Sequence, residues 1–281
     1  MQYGSQSTYR AEARKVSRAL NTTLNLSRVT MKKLALLLSL ALSFSAIADD
    51  HAPTSSYLVE SIPFTLKDGK TMADMMAMQD EFAAVAQASG LQYSAFVMTP
   101  HYMSQSSAPI AGSFDAVWLG FSPSATAIGA GFEGYMENGQ ELEAKFDEIR
   151  TMSQRSLMRG EMVHAGDPSE GGFGMFRTCT LNDGADTDDL RAALKARGAA
   201  FEKAGATAST HMWYGGIGIP NEMQGSVIIV RIFPSMEAWG QAFDRYFAGD
   251  FAKEERLLTE TATCGPVRTY FGTPFYSASA G

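Results

Sequence analysis

Apolar residues recur along this chain in eight short runs, and helix-like segments with apolar residues at every third or fourth position separate them. Alternation of apolar and polar residues is typical of strands, and the longer spacing is typical of amphipathic helices. The pattern predicts helices over 71–89 and 187–204 and two more that begin at Ser124 and Ser235. The predicted strands are 57–64, 92–99, 115–121, 155–164, 174–181, 209–214, 226–233 and about 267–271.

A short repeat lies inside this pattern. Residues 123–135 align without a gap with residues 234–246, and the two copies share Pro, Ser, Ala, Gly, Phe and Tyr at matching places. Each copy follows a strand-like run that ends in Phe, so we interpret the repeat as an internal duplication. Each half then has the order β-α-β-β-α-β, which is the ferredoxin-like order. The sequence predicts an α+β protein with two tandem ferredoxin-like halves, residues 49–165 and 173–281, packed sheet to sheet as an intramolecular α/β barrel.

The letters of the second copy resemble a known superfamily. The stretch from Phe233 to Ala238, Phe-Pro-Ser-Met-Glu-Ala, follows a strand, opens a helix and is similar to the same turn in the dimeric α/β-barrel superfamily. That superfamily includes antibiotic-biosynthesis-type monooxygenases and NIPSNAP-like proteins. The resemblance implies the fold and not the activity, because members of a fold class share structure more than chemistry.

The first 48 residues are expected to lie outside the folded protein. Lys32 and Lys33 precede an apolar run, and Ala46-Ile47-Ala48 is a small-residue cleavage site followed by two aspartates. This order predicts a signal peptide over 31–48, with a mature start at Asp49, and an uncleaved anchor is the alternative. Residues 1–30 are interpreted as an upstream extension. We therefore expect a periplasmic or secreted protein that does not insert in a membrane after cleavage.

Charge narrows the possible partners. The first 48 residues hold seven of the 23 basic and one of the 30 acidic residues, so residues 49–281 carry 16 basic and 29 acidic residues. A surface this acidic repels phosphate backbones, and we expect no nucleic-acid partner. The four histidines are scattered at positions 51, 101, 164 and 211 without metal-binding spacing, so no metal site and no cofactor are predicted.

The two cysteines, Cys179 and Cys264, are an even count in a chain with an export signal. Exported proteins meet an oxidising compartment, and strands one and four of a ferredoxin-like half are antiparallel neighbours. We therefore predict a disulfide between them, with two buried free thiols as the alternative.

Candidate ligand-binding residues come from polar and aromatic side chains within apolar strands. His211, Trp213 and Tyr214 lie in one predicted strand, Arg231 in the next and Arg177 in an earlier one. A charge among apolar neighbours needs a partner or a ligand, and Arg231 shares its strand face with Ile229 and Phe233. No set of catalytic residues is evident.

Three functions remain open from the sequence. The first is the binding of a small, partly apolar ligand by a protein without catalytic activity. The second, implied by the resemblance, is a cofactor-independent oxygenase or isomerase. The third is a haem-binding protein that uses His211 or His164.

Overall fold

The computed structural model describes residues 56–103, 114–166 and 172–278. The predicted signal peptide and the segment before it lie outside these residues. The helices are α1 (Met72–Met76), α2 (Gln79–Ala88), α3 (Ala125–Asn138), α4 (Gln140–Ile149), α5 (Thr187–Lys203), α6 (Met236–Ala248) and α7 (Ala252–Thr261). No helix in the described part of the chain is both long and apolar enough to cross a membrane.

Eight long strands and two short ones form the sheet in the described residues. The long strands are β1 (Ser56–Leu66), β2 (Ser94–Pro100), β3 (Ala116–Ser122), β5 (Ser156–His164), β6 (Gly172–Leu181), β7 (Ser209–Ile217), β8 (Val227–Phe233) and β10 (Arg268–Ser277). The short strands β4 (Arg150–Met152) and β9 (Ala262–Cys264) pair with β1 and β6. The long strands follow the order β10-β2-β3-β1-β5-β7-β8-β6, and β6 pairs again with β10. Every pairing among them is antiparallel. Because the last strand of this order pairs with the first, the strands form one closed barrel.

The predicted arrangement of two ferredoxin-like halves packed sheet to sheet is therefore wrong. The strands form a single antiparallel β-barrel, because β5 pairs with β7 and the C-terminal strand β10 pairs with both β2 and β6. Strand β10 ends at Ser277 rather than near 271, and this extra length reaches β2. Closure satisfies the edge N–H and C=O groups that two separate sheets would leave unpaired. The described strands thus share one hydrogen-bonded sheet and are not two sheets facing each other.

Alternation along each strand separates two apolar layers. On β8, Ile228 and Val230 face the barrel interior, where they pack with Trp213 and Phe176. Ile229 lies between them, faces outward and packs against residues of α5 and α7. Outward-facing side chains of the barrel are therefore covered by helices, and each strand contributes to an inner and an outer core.

The disulfide joins β6 to β9. Cys179 and Cys264 are register partners in this pair, and their sulfur atoms are bonded. Strand β9 follows α7 directly, so the bond attaches the end of that helix to the barrel wall. Arg177 lies two residues before Cys179, and its Nε donates a hydrogen bond of 3.3 Å to the carbonyl of Gly265.

Gly120 on β3 shows how tightly the outer layer packs over β1–β3. A Cβ atom at this position would lie 1.5 Å from the hydroxyl of Tyr93. That hydroxyl donates to Glu60 at 2.5 Å and accepts from Trp118 Nε1 at 2.9 Å. Glu60 also receives a 2.6 Å hydrogen bond from Arg155. The glycine therefore makes room for a tyrosine that completes a buried polar cluster.

Replacing Gly120 with alanine is expected to lower the free energy of unfolding by about 1–3 kcal/mol, because the new methyl group displaces Tyr93 and its buried hydrogen bonds. Gly129→Ala is the matched control, because a Cβ there meets no atom of the described residues within 4 Å and alanine favours the surrounding helix. Urea denaturation of both variants checks this. Equal stability of Gly120→Ala and the wild-type protein would contradict the expected clash.

Candidate functional site

A cavity of about 300 Å³ lies on the outer side of the barrel, between strands β6 and β8 and the helices α5, α6 and α7. Its polar lining consists of Arg177, Arg197, Arg231 and Glu255. Its apolar lining includes Phe201, Ile229, Phe233, Trp239, Phe243 and Tyr246. We call this space the arginine pocket.

Arg231 is buried at the base of the arginine pocket. Its side chain leaves β8 on the outer face, and its guanidinium carbon lies 4.3 Å from the centre of the Phe201 ring. Among the described residues, its Nη2 atom has no hydrogen-bond partner. Burial and the positive charges of Arg197 and Arg177 lower the pKa of Arg231, and the negative charge of Glu255 opposes them. A buried guanidinium with a free N–H group is costly unless a ligand supplies an acceptor.

Arg197 reaches the same pocket from α5. Asp186 caps the start of this helix, and its side chain accepts from the N–H groups of Asp188 and Asp189. Leu190, Leu194 and Phe201 form its buried stripe, and Arg197 occupies a position on the same stripe. Its Nη2 pairs with Glu255, while Nε has no partner within the described part of the chain. Burial lowers the pKa of Arg197, although Glu255 opposes the shift.

The charges in the arginine pocket do not balance. Within the part of the chain that the structure describes, three guanidinium groups face one carboxylate, and arginine keeps its charge under ordinary conditions. The indole Nε1 of Trp239 is a further buried donor without a partner among the described residues. The pocket thus offers N–H donors and positive charge beside aromatic rings. This combination is suited to an anionic group attached to an apolar body.

The cluster around Glu60 differs from this pocket. It also places charged and aromatic side chains between the barrel and helices, but its free space is only about 30 Å³. Glu60 is paired with Arg155 and Tyr93, so the cluster satisfies its buried carboxylate internally. Among the described residues, Arg150 of this cluster also has an Nη1 without a hydrogen-bond partner, so what distinguishes the arginine pocket is the cavity of about 300 Å³ beside its arginines.

Tyr214 lies apart from the arginine pocket. Its hydroxyl contacts Arg191 at 3.4 Å, and Arg191 donates to the fully buried Glu161 at 2.6 Å. Arg159 lies over the Tyr214 ring at 4.3 Å. These contacts describe an ion-pair cluster on the outer surface of β5 and β7, so Tyr214 does not share a site with Arg231.

His211 and Trp213 face the barrel interior. With Tyr57 they line a second cavity of about 350 Å³ at one end of the barrel, which we call the barrel cavity. Trp213 Nε1 donates to the Tyr57 hydroxyl at 3.0 Å, and that hydroxyl lies 2.7 Å from His211 Nδ1. The other ring nitrogen of His211 lies 3.0 Å from Ser209 Oγ. Burial lowers the pKa of His211 to about 4, so the imidazole is neutral at pH 7.

The structure thus separates residues that the sequence grouped together. Arg231 and Arg177 line the arginine pocket, whereas His211 and Trp213 line the barrel cavity. The cause is the two-residue period of a strand, which sends neighbouring side chains to opposite sides of the sheet. His211 and Arg231 therefore line different cavities, and a role of either side chain in ligand binding stays a prediction.

Haem ligation has no support in these side chains. Both ring nitrogens of His211 are already held by Tyr57 and Ser209. His164 lies outside both cavities, and its Nε2 is 3.7 Å from a carboxylate oxygen of Glu202. Axial ligation by His211 would need one of its two contacts to break. Within the described residues, no three His, Cys, Asp or Glu side chains are grouped to hold a metal ion.

Sequence reasoning missed Arg197, Glu255 and Tyr57. A signal for Arg197 was present, because it interrupts an apolar stripe at helical spacing from Leu194 and Phe201. Glu255 sits in the first turn of α7, where acids are common for other reasons. Tyr57 had no local signal, because its partners are more than 150 residues away in the chain.

Comparison with known proteins gives structural neighbours only. No protein-family model matches the chain, and no curated protein sequence matches it. A protein of Fusobacterium nucleatum, provisionally described as a monooxygenase, is similar with a TM-score of 0.49 and 6% identity, over 79% of this chain and 94% of that one. A chlorite dismutase mutant from Candidatus Nitrospira defluvii has a TM-score of 0.46 and 10% identity, over 81% and 96%. A heme-binding protein from Thermus thermophilus has a TM-score of 0.44 and 10% identity, over 78% of this chain and 93% of that one.

Proposed function

We propose that this protein binds a small organic anion, a carboxylate with an aromatic or otherwise apolar body, in the arginine pocket. One observation carries the proposal: two buried arginines place N–H groups that have no partner among the described residues at a cavity of about 300 Å³. A carboxylate accepts hydrogen bonds from guanidinium groups in a matched planar geometry, and it balances their charge. The predicted signal peptide would place this binding in the periplasm or outside the cell.

The shape of the pocket supports an aromatic body for the ligand. Trp239 and Phe243 on α6 have nearly parallel rings with centroids 5.0 Å apart, and both line the pocket. Tyr246 continues this row one turn later and is 41% exposed, so the row reaches the surface. An anion held at Arg231 can extend its apolar part along these rings. Stacking on aromatic faces favours planar ligands over branched ones.

Arg231→Met is expected to weaken binding of 2-naphthoate by about 10- to 100-fold, because hydrogen bonds to charged groups contribute roughly 1.5–3 kcal/mol. Isothermal titration calorimetry at pH 7 measures the effect. Methionine keeps much of the side-chain volume and removes the charge, so the variant tests electrostatics more than packing.

Arg256→Met is the matched control for this experiment. Arg256 lies on α7, is largely exposed and pairs with Glu260 one turn along the helix. Its loss should leave 2-naphthoate binding unchanged, since it does not line the pocket. Equal affinity of the wild-type protein and Arg231→Met, or equal weakening by both variants, would contradict the proposal.

A further inference from the structure

The barrel cavity is separate from the arginine pocket. Val230 and Ile232 of β8 line the barrel cavity, whereas Ile229, Arg231 and Phe233 of the same strand line the other space. The sheet itself divides the two. A ligand in one cavity therefore does not touch a ligand in the other, and the two sites can be tested independently.

The walls of the barrel cavity are mostly aromatic and apolar. Phe96, Phe121, Phe176 and Trp213 contribute rings, and Leu119 with Val230 supplies aliphatic surface. Phe121 and Phe176 each stand edge-on to the Trp213 ring, at centroid separations of 6.0 and 5.5 Å. The cavity is open at one end of the barrel rather than sealed, and its volume of about 350 Å³ is within the range of small-molecule sites.

One polar group of this wall keeps unused hydrogen-bonding capacity. The indole of Trp213 can only donate, so the Tyr57 oxygen accepts its hydrogen bond. The contact with His211 then uses either the hydroxyl hydrogen or the second lone pair of Tyr57, depending on the imidazole tautomer. In both cases one capacity of the hydroxyl remains, an acceptor in the first case and a donor in the second. The Ser209 hydroxyl can serve either tautomer of His211 because it both donates and accepts.

The described residues of this wall carry no charge at neutral pH. Burial lowers the pKa of His211 and raises the pKa of Tyr57, so both groups are uncharged at pH 7. No Lys, Arg, Asp or Glu is among the residues that line the barrel cavity in the described part of the chain. An ion placed there would lose its hydration without gaining a counter-charge, which excludes the anions suited to the arginine pocket.

We propose that the barrel cavity is a second binding site, and that it takes a neutral aromatic molecule with one hydroxyl or carbonyl group. The aromatic body packs between Phe96, Phe121, Phe176 and Trp213. The single polar group bonds to the hydroxyl of Tyr57, which Trp213 and His211 hold in place. The adjustable tautomer of His211 lets the same hydroxyl receive a phenol or an alcohol, or donate to a ketone.

The test uses 2-naphthol as a neutral probe beside 2-naphthoate as an anionic one. Isothermal titration calorimetry at pH 7 on the full exported protein, with its disulfide intact, should show 2-naphthol binding. Tyr57→Phe keeps the ring and removes the hydroxyl, so it should weaken 2-naphthol about tenfold. Leu119→Trp places a large ring in the cavity and should abolish 2-naphthol binding.

Two controls separate this proposal from the function proposed above. Arg231→Met should bind 2-naphthol like the wild-type protein, because Arg231 does not line the barrel cavity. Unchanged 2-naphthoate binding by Tyr57→Phe and Leu119→Trp shows that both variants fold. If 2-naphthoate binds nowhere, unaltered circular dichroism serves as the folding check and the 2-naphthol result still decides this proposal.

Several outcomes would overturn the proposal. Absence of 2-naphthol binding up to its solubility limit excludes the site. Binding that survives Leu119→Trp lies elsewhere on the protein. Binding that is abolished by Leu119→Trp but unaffected by Tyr57→Phe refutes the role of the hydroxyl and with it the proposed ligand class.

Discussion

Replacing Cys179 and Cys264 together with alanine is expected to lower the free energy of unfolding by about 4.5 kcal/mol. The cysteines are 85 residues apart, and in the chain-entropy treatment a cross-link of this span removes much of the freedom of the unfolded chain. The closed loop contains α5, β8, α6 and α7, each of which contributes residues to the lining of the arginine pocket. Urea denaturation of the oxidised wild-type protein and the double variant measures the difference.

Reduction provides the matched control for the double variant. The wild-type protein in dithiothreitol should approach the stability of the variant, and the variant itself should not respond to the reductant. A denaturation midpoint shared by the oxidised wild-type protein and the variant would contradict the expectation. A loss much smaller than about 2 kcal/mol would mean that the unfolded chain retains structure that already restricts the loop.

The disulfide also bears on the shape of the arginine pocket. Cys264 lies immediately before Gly265, whose carbonyl accepts the hydrogen bond from Arg177, and Val267 lines the pocket two residues later. Helix α7, which carries Glu255, ends directly before β9. The bond therefore holds the segment that sets the distance between Arg177 and Glu255. In the double variant, we expect weaker 2-naphthoate binding as well as lower stability.

The strands were predictable because each leaves a local pattern. All eight long strands of the barrel overlap the predicted runs, since alternation of apolar and polar side chains reports which face is buried. The predicted helix over 71–89 is divided in the structure into α1 and α2, with a turn around Ala77 and Met78. Thr71 caps α1 through Asp74, which the sequence suggests only weakly.

Closure of the barrel was not predictable from local pattern. Strand β10 pairs with β6, about 95 residues earlier in the chain, and with β2, about 170 residues earlier. Alternation looks the same whether a strand edge is bonded or free, so the pattern cannot report which edges meet. A sheet-to-sheet packing of two halves satisfied the apolar faces, but it left open the N–H and C=O groups at four strand edges.

Part of the candidate site was predictable from local sequence pattern. Arg231, Arg177, His211 and Trp213 are polar or large aromatic residues within apolar strands, and all four line cavities. Their division between two cavities depends on which face of the sheet turns inward. Alternation along β7 shows that His211 and Met212 face opposite sides of the sheet. Whether His211 and Arg231 face the same side depends on the register of β7 and β8, in which Thr210 lies opposite Arg231. That register comes from tertiary structure.

Lowering the pH from 7 to 4 is expected to lower the free energy of unfolding by about 3 kcal/mol through the protonation of His211 alone. Burial holds the pKa of this imidazole at about 4 in the folded protein, against 6.5 for an unperturbed histidine. Below pH 6.5 the unfolded chain binds a proton at this position, whereas the folded protein binds it only as the pH approaches 4. The free energy of unfolding therefore falls across this window, and above pH 6.5 the contribution is constant.

His211→Gln isolates this contribution, because glutamine cannot take up the proton but can still accept a hydrogen bond from Tyr57. Denaturation of both proteins at several pH values gives the difference between their free energies of unfolding, in which the other titrating groups cancel. The difference should shift by about 3 kcal/mol in favour of the variant between pH 7 and pH 4, since 2.5 pH units correspond to roughly that free energy. A difference that stays constant over this range would mean that His211 takes up its proton equally well in both states. The imidazole would then not be enclosed, and the neutral wall of the barrel cavity would be lost with it.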